Sequence, residues 1–98
     1  MKFILNFTPT AKKTLKRLKN DPGLKRHYKS VIKALKFLNE NPKHPSLQTH
    51  LYYSIVGPNG EKVFEAYAEQ KTPAAYRIFF YYGPGKKEIT IFAITPHP

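Results

Sequence analysis

The apolar positions of this chain change period near residue 50. From Ala11 to Leu38 they recur every three or four residues, and after residue 50 they alternate, as they do in the first few residues. Phe3, Leu5 and Phe7 alternate with Lys2, Asn6 and Thr8 around Ile4, which predicts a short first strand. Thr8-Pro9 then opens a helix, with a hydroxyl at the N-cap and proline at the first helical position, where a missing N–H costs nothing. Ala11, Leu15 and Leu18 give this helix an apolar line, and Asn20-Asp21-Pro22-Gly23 stops it. Leu24, Tyr28, Val31, Leu35 and Leu38, widened by Ile32, predict a second amphipathic helix that ends at Asn41-Pro42.

In the second half, Leu51, Tyr53 and Ile55 alternate up to the turn Gly57-Pro58-Asn59-Gly60. Phe64, Ala66 and Ala68 then alternate against Glu65, Tyr67 and Glu69. After a connection over 72–75, Tyr76 to Tyr82 is an almost unbroken aromatic and β-branched run, the pattern of a central strand. Gly83-Pro84-Gly85 turns the chain, and Glu88 to Thr95 forms a last strand before Pro96-His97-Pro98. The order β-α-α-β-β-β-β, with hairpin-like closing connections, predicts an α+β fold. An antiparallel helical hairpin packs on one face of a mainly antiparallel sheet of four to five strands. The 98 residues make a single domain over 1–98, because half that length would not hold a core of its own.

Charge divides at the same place as the period. Residues 1–50 hold 12 Lys and Arg against Asp21 and Glu40, a net +10, whereas residues 51–98 hold 5 against Glu61, Glu65, Glu69 and Glu88, a net +1. Exposed helices ordinarily mix signs for i,i+4 pairing. Here Asp21 is the only acid between Ala11 and Phe37, while Lys12, Lys13, Lys16, Arg17, Lys25, Arg26, Lys29, Lys33 and Lys36 stud both helices. Several cations on one rigid surface suit a polyanion, whose released counterions supply affinity, and RNA is the expected partner. An acidic protein would fit the same surface.

The chain has no cysteine, which removes disulfides, thiolate metal sites and a thiol nucleophile. His27, His44, His50 and His97 lack paired ligand spacing, no Asp follows Asp21, and the five glycines sit in turns rather than in a phosphate loop. No metal and no small-molecule cofactor is therefore expected. The opening apolar run is too short for a signal peptide and no stretch is long enough to span a bilayer, so a cytoplasmic protein without a membrane partner is expected. What is left is metal-independent chemistry on the sheet. Cleavage of RNA by its own 2′-hydroxyl needs a base, an acid for the departing 5′-oxygen and a cation for the phosphate. His97, Glu65 and Arg77 are residue types that could share these roles, with no one role fixed on any of them, while Arg77 is equally placed to pair with Glu65 or Glu69 across strands. Tyr67, Tyr76, Tyr81 and Tyr82 are candidates for stacking bases or for ordinary core.

Taken in order, the segments resemble the RelE/ParE superfamily of small toxins from type II toxin–antitoxin pairs. The resemblance runs nearly the full length. It comprises a strand leading into Phe7-Thr8-Pro9-Thr10-Ala11, a second helix closing on Leu38-Asn39-Glu40-Asn41-Pro42, then Phe64-Glu65-Ala66-Tyr67, Tyr76-Arg77-Ile78-Phe79-Phe80, and a last strand running into His97. It implies a toxin whose sheet carries the active surface and whose acidic or amphipathic antitoxin wraps it. Nuclease members cut mRNA on the ribosome without metal, and others poison DNA gyrase. On this resemblance Arg77 matches the arginine that stabilises the scissile phosphate, His97 a C-terminal catalytic histidine, and Glu65 the acid on the preceding strand. Relatives often carry a basic residue two positions after that acid, where this chain has Tyr67, and an aromatic at the end, where it has Pro98. Lys71 and Tyr67 are the candidates to refill those roles. The expected function is a ribosome-dependent, metal-independent mRNA endonuclease with ribosome and mRNA as partners. The alternatives are a non-nucleolytic gyrase-inhibitor type and an inactive RNA-binding relative.

Overall fold

A computed structural model describes residues 2–97. The elements follow in the order β1 (Ile4–Phe7), α1 (Pro9–Asn20), α2 (Lys25–Glu40), β2 (His50–Val56), β3 (Lys62–Tyr67), β4 (Tyr76–Tyr82) and β5 (Glu88–Pro96), with short 3₁₀ turns at Pro22–Leu24 and Pro45–Leu47. The five strands form one sheet in the order β1-β5-β4-β3-β2. The three hairpin-connected pairs are antiparallel, and β1 returns parallel to β5. The aromatic run Tyr76–Tyr82 is thus the central strand, and its lack of alternation fits its burial: the helices cover one face, while Tyr52 and Phe92 pack against Phe79 and Tyr81 on the other.

Thr8 starts α1 as its sequence position demands. Its Oγ1 accepts the Ala11 N–H at 3.2 Å and donates to the Phe92 carbonyl at 3.0 Å, so a single hydroxyl caps the helix and ties it to β5. Thr8→Ala should cost about 1–2 kcal/mol for the lost cap and the orphaned contact, read as a lower thermal midpoint. Both helices turn their apolar lines onto one sheet face. Ala11, Leu18, Val31, Ala34, Leu35 and Leu38 bury there against Ala66, Ile78, Phe80, Ile89, Ile91 and Ile94. The basic residues consequently point away from the sheet. Among the described residues no helix is long and apolar enough to cross a membrane.

One expectation fails on β2. Leu51 opposes Phe64, but Val56 opposes Lys62, so five steps along β2 answer two along β3. The resulting bulge breaks the alternation. Tyr53 is 86% exposed and Val56 69%, although the regular period would send Tyr53 inward with Leu51. Extra residues must loop out from a paired edge, and on β2 they loop into solvent.

Candidate functional site

Helices cover one face of the sheet; the chemistry collects on the other. Strand alternation puts Ile78 and Phe80 of β4 under the helices and Arg77, Phe79 and Tyr81 on the opposite face. Two successive cross-strand rows occupy this open face. Tyr67, Arg77 and Thr95 form one, and His50, Glu65, Phe79 and Ala93 form the next.

Glu65 sits at their junction and is only 3% exposed. Its Oε2 accepts from Nη1 of Arg77, and its Oε1 lies 2.7 Å from Nε2 of His50. A buried carboxylate needs partners, and here each oxygen has a cationic residue. The other ring nitrogen of His50, Nδ1, lies 2.8 Å from the Gln48 carbonyl. A carbonyl and an ionised carboxylate only accept, so a protonated His50 ring would donate to both at once. Arg77 is further held with its guanidinium 5.2 Å from the Phe79 ring centroid. Phe79 in turn meets Tyr52 edge-on at 4.9 Å. The Arg77 side chain is 15% exposed, and its Nε is buried without a partner among the described residues. The guanidinium is accordingly anchored at one edge rather than fully satisfied.

Of the alternatives for Arg77, the pairing is with Glu65 and not Glu69. Glu69 is already engaged from the helical side, with His27 Nδ1 2.8 Å from Oε1 and the Tyr76 backbone N–H donating to the same oxygen at 2.9 Å. That pair ties α2 to the β3–β4 connection. His97 lies just past β5, exposed, with its backbone N–H donating to the Ala75 carbonyl at 2.8 Å. It stands two positions beyond Thr95, the cross-strand partner of Arg77, so it belongs to the same end of the sheet. Tyr67, the other cross-strand partner of Arg77, is half-buried with its ring 5.6 Å from that of His50. Pro98 lies outside the described residues.

The candidate docking residues Lys12, Lys13, Lys16, Arg17, Lys25, Arg26, Lys29, Lys33 and Lys36 are all exposed on α1 and α2. They are therefore carried by the layer behind the sheet, away from the Arg77 cluster. Lys33 and Tyr67 line a common cleft of about 120 Å³ between α2 and the sheet edge. Lys71 is exposed in the β3–β4 connection, in the left-handed region at φ 61°. His50 is the residue that sequence reasoning missed. Regular pairing from the turn would set it opposite Ala68; only the β2 bulge moves it opposite Glu65.

No protein-family model matches this sequence, and no curated protein does. Solved structures do. The chain is similar to the RelE of an archaeal RelE–RelB complex from Pyrococcus horikoshii, with a TM-score of 0.65 at 18% identity over 98% of this chain and 96% of that one. It is similar to YoeB of a Staphylococcus aureus dimer, with a TM-score of 0.70 at 13% identity over the whole of both chains. A YoeB/ParE toxin from Agrobacterium tumefaciens also gives 0.70, at 7% identity over 98% of this chain and 100% of that one. Two helices on one face of a five-stranded sheet, in the order β1-β5-β4-β3-β2 and matched end to end, give this chain the RelE/ParE-like toxin fold.

Proposed function

We propose that this protein is the toxin of a toxin–antitoxin pair and acts as a ribosome-dependent, metal-independent mRNA endonuclease. The observation that carries the reading is the Arg77–Glu65–His50 cluster, a guanidinium anchored by a buried carboxylate on the helix-free face of the sheet. Arg77 contacts the scissile phosphate. The 2′-oxygen attacks phosphorus and the bond to the 5′-oxygen breaks, leaving a 2′,3′-cyclic phosphate and a 5′-hydroxyl. Once Arg77 turns to the phosphate, Oε2 of Glu65 is uncovered and takes the 2′-hydroxyl proton. The imidazolium of His97 supplies a proton to the 5′-oxygen. Tyr67, beside Arg77, is placed to stack a base.

The basic outer face of α1 and α2, with Lys71, docks on ribosomal RNA. A net charge of +11 on 98 residues also favours an acidic or amphipathic antitoxin. The RelE neighbour was solved as a complex with RelB, which accords with such a partner. Cell-free translation with mapping of mRNA ends tests the reading. Wild-type protein should stop translation and cut the message only where ribosomes engage it. His97→Ala should slow cleavage by about 100-fold or more, the scale of a lost general acid. Undiminished translation with soluble, folded wild-type protein would rule the nuclease out.

A second reading draws on the separation of the basic helices from the Arg77 cluster: a toxin that inhibits by binding through its helical hairpin. Charge reversals at Lys16, Arg17 and Lys29 should then abolish growth arrest while translation in the extract continues. For the nuclease the same reversals weaken ribosome docking and flatten its dependence on salt, because fewer counterions are released.

A further inference from the structure

Arg77 can reach a phosphate only by loosening its hold on Glu65, and a buried carboxylate resists losing its partner. The arrangement contains its own answer. Each oxygen of Glu65 is bound separately, Oε2 by Arg77 and Oε1 by His50, so release of one cation leaves the other in place. His50 is held for this from its far side by the Gln48 carbonyl, at 2.8 Å, and its side chain stays 44% exposed at the sheet edge. Gln48 is fixed in turn in the left-handed region at φ 47°, as the C-cap of the short 3₁₀ turn before β2. With both nitrogens engaged, the ring has no free position from which to accept a substrate proton.

We infer that His50 is a positioning residue, the resident cation that keeps Glu65 paired while Arg77 turns to a phosphodiester. This rests on the reading of Arg77 as the phosphate-binding group, but it makes a separate claim about the coupling of three side chains. Without His50, Glu65 has one cation and Arg77 becomes locked to it. Without the negative charge of Glu65, Arg77 has no ion pair to break and His50 ceases to matter. The effect of His50 on phosphate binding should therefore depend wholly on Glu65, which no direct contact between His50 and phosphate would produce.

A double-mutant cycle measures this dependence. The probe is a 2′-O-methyl RNA trinucleotide, which binds but cannot be cleaved. Its site-specific binding is followed by the shift of the Arg77 backbone amide in NMR spectra, which separates the sheet from the basic helices. His50→Ala should weaken binding at the sheet about tenfold, the scale of one charge-assisted interaction. Glu65→Gln should bind at least as well as wild type, and the double variant His50→Ala/Glu65→Gln should match Glu65→Gln to within about twofold. His50→Gln, which keeps a donor but no charge, should behave as His50→Ala. Wild-type affinity in His50→Ala overturns the inference, and so does a double variant as weak as His50→Ala. A cycle that closes as expected in a protein that cuts no mRNA would sink the nuclease and leave the role of His50 standing. Cleavage intact with an unaltered His50→Ala affinity would do the reverse.

Discussion

Replacing Arg77 with alanine should abolish growth arrest and lower the thermal midpoint in the same protein, and the two effects should separate with one further substitution. Arg77 neutralises one oxygen of Glu65, whose side chain is almost wholly out of solvent. Removing one partner of a buried ion pair costs about 3–5 kcal/mol when the survivor is left alone. Here His50 remains on the other oxygen, so the loss should be about 2–3 kcal/mol, from one charge-assisted bond and the cover that the guanidinium gives Phe79. In a domain of this size each kcal/mol moves the midpoint by about 4–8 °C. A fall of about 8–24 °C is expected, and a growth assay alone could not tell a dead site from a poorly folded protein.

The double variant Arg77→Ala/Glu65→Gln distinguishes them. It removes the half-paired carboxylate along with the guanidinium, so part of the lost stability should return, read by thermal or chemical denaturation. Activity should not return. A cation aimed at developing negative charge typically contributes about 100- to 1,000-fold in rate, and neither substitution restores it. Arg77→Lys should also stay impaired, since an ammonium keeps the charge but loses the planar fork that matches a phosphate. Recovery of growth arrest in the double variant would mean that Arg77 serves only to balance Glu65, and would remove it from the site.

The sequence reveals most of this fold because most of its elements obey a single period. Thr8-Pro9, the two apolar helix lines and the unbroken run at Tyr76–Tyr82 each predict the element that forms, and the helical hairpin leaves only one way to cover the sheet. The adjacency of β2, β3, β4 and β5 follows from their hairpin connections, and the placing of Arg77 and Glu65 on one face from alternation along β3 and β4. The parallel pairing of β1 with β5 does not follow, because it joins the ends of the chain and no turn sets its register. His50 was hidden for a related reason. Its place opposite Glu65 depends on the extra residues looped out of β2, and nothing in the pattern of Leu51, Tyr53 and Ile55 announces them. What local chemistry decides can be read from the residues, while what pairing register decides needs the sheet.

That difference has a large and measurable consequence in two aromatic residues that look alike in the sequence, Tyr53 and Phe80. Phe80 lies in the central strand, is fully buried and packs its ring against Phe64 and Tyr82, each centroid 5.7 Å away. Around it stand Ala66, Ile78, Ile91 and the apolar lines of both helices. A β-sheet core beneath two helices can collapse only partly into the space a phenyl ring leaves, so Phe80→Ala should cost about 3–5 kcal/mol. A domain of this length has about 5–15 kcal/mol in total, so the variant should sit near its unfolding transition at growth temperature. It should be lost to proteolysis and fail to arrest growth, although it touches none of the charged cluster. Tyr53→Ala should change stability by no more than about 0.5 kcal/mol, because the bulge has already placed that ring in solvent. Urea denaturation of the pair gives the comparison directly. A Tyr53→Ala cost approaching that of Phe80→Ala would mean that β2 keeps its regular register, with Tyr53 inside. In that register His50 no longer faces Glu65, and the counter-cation on which Arg77 depends is gone.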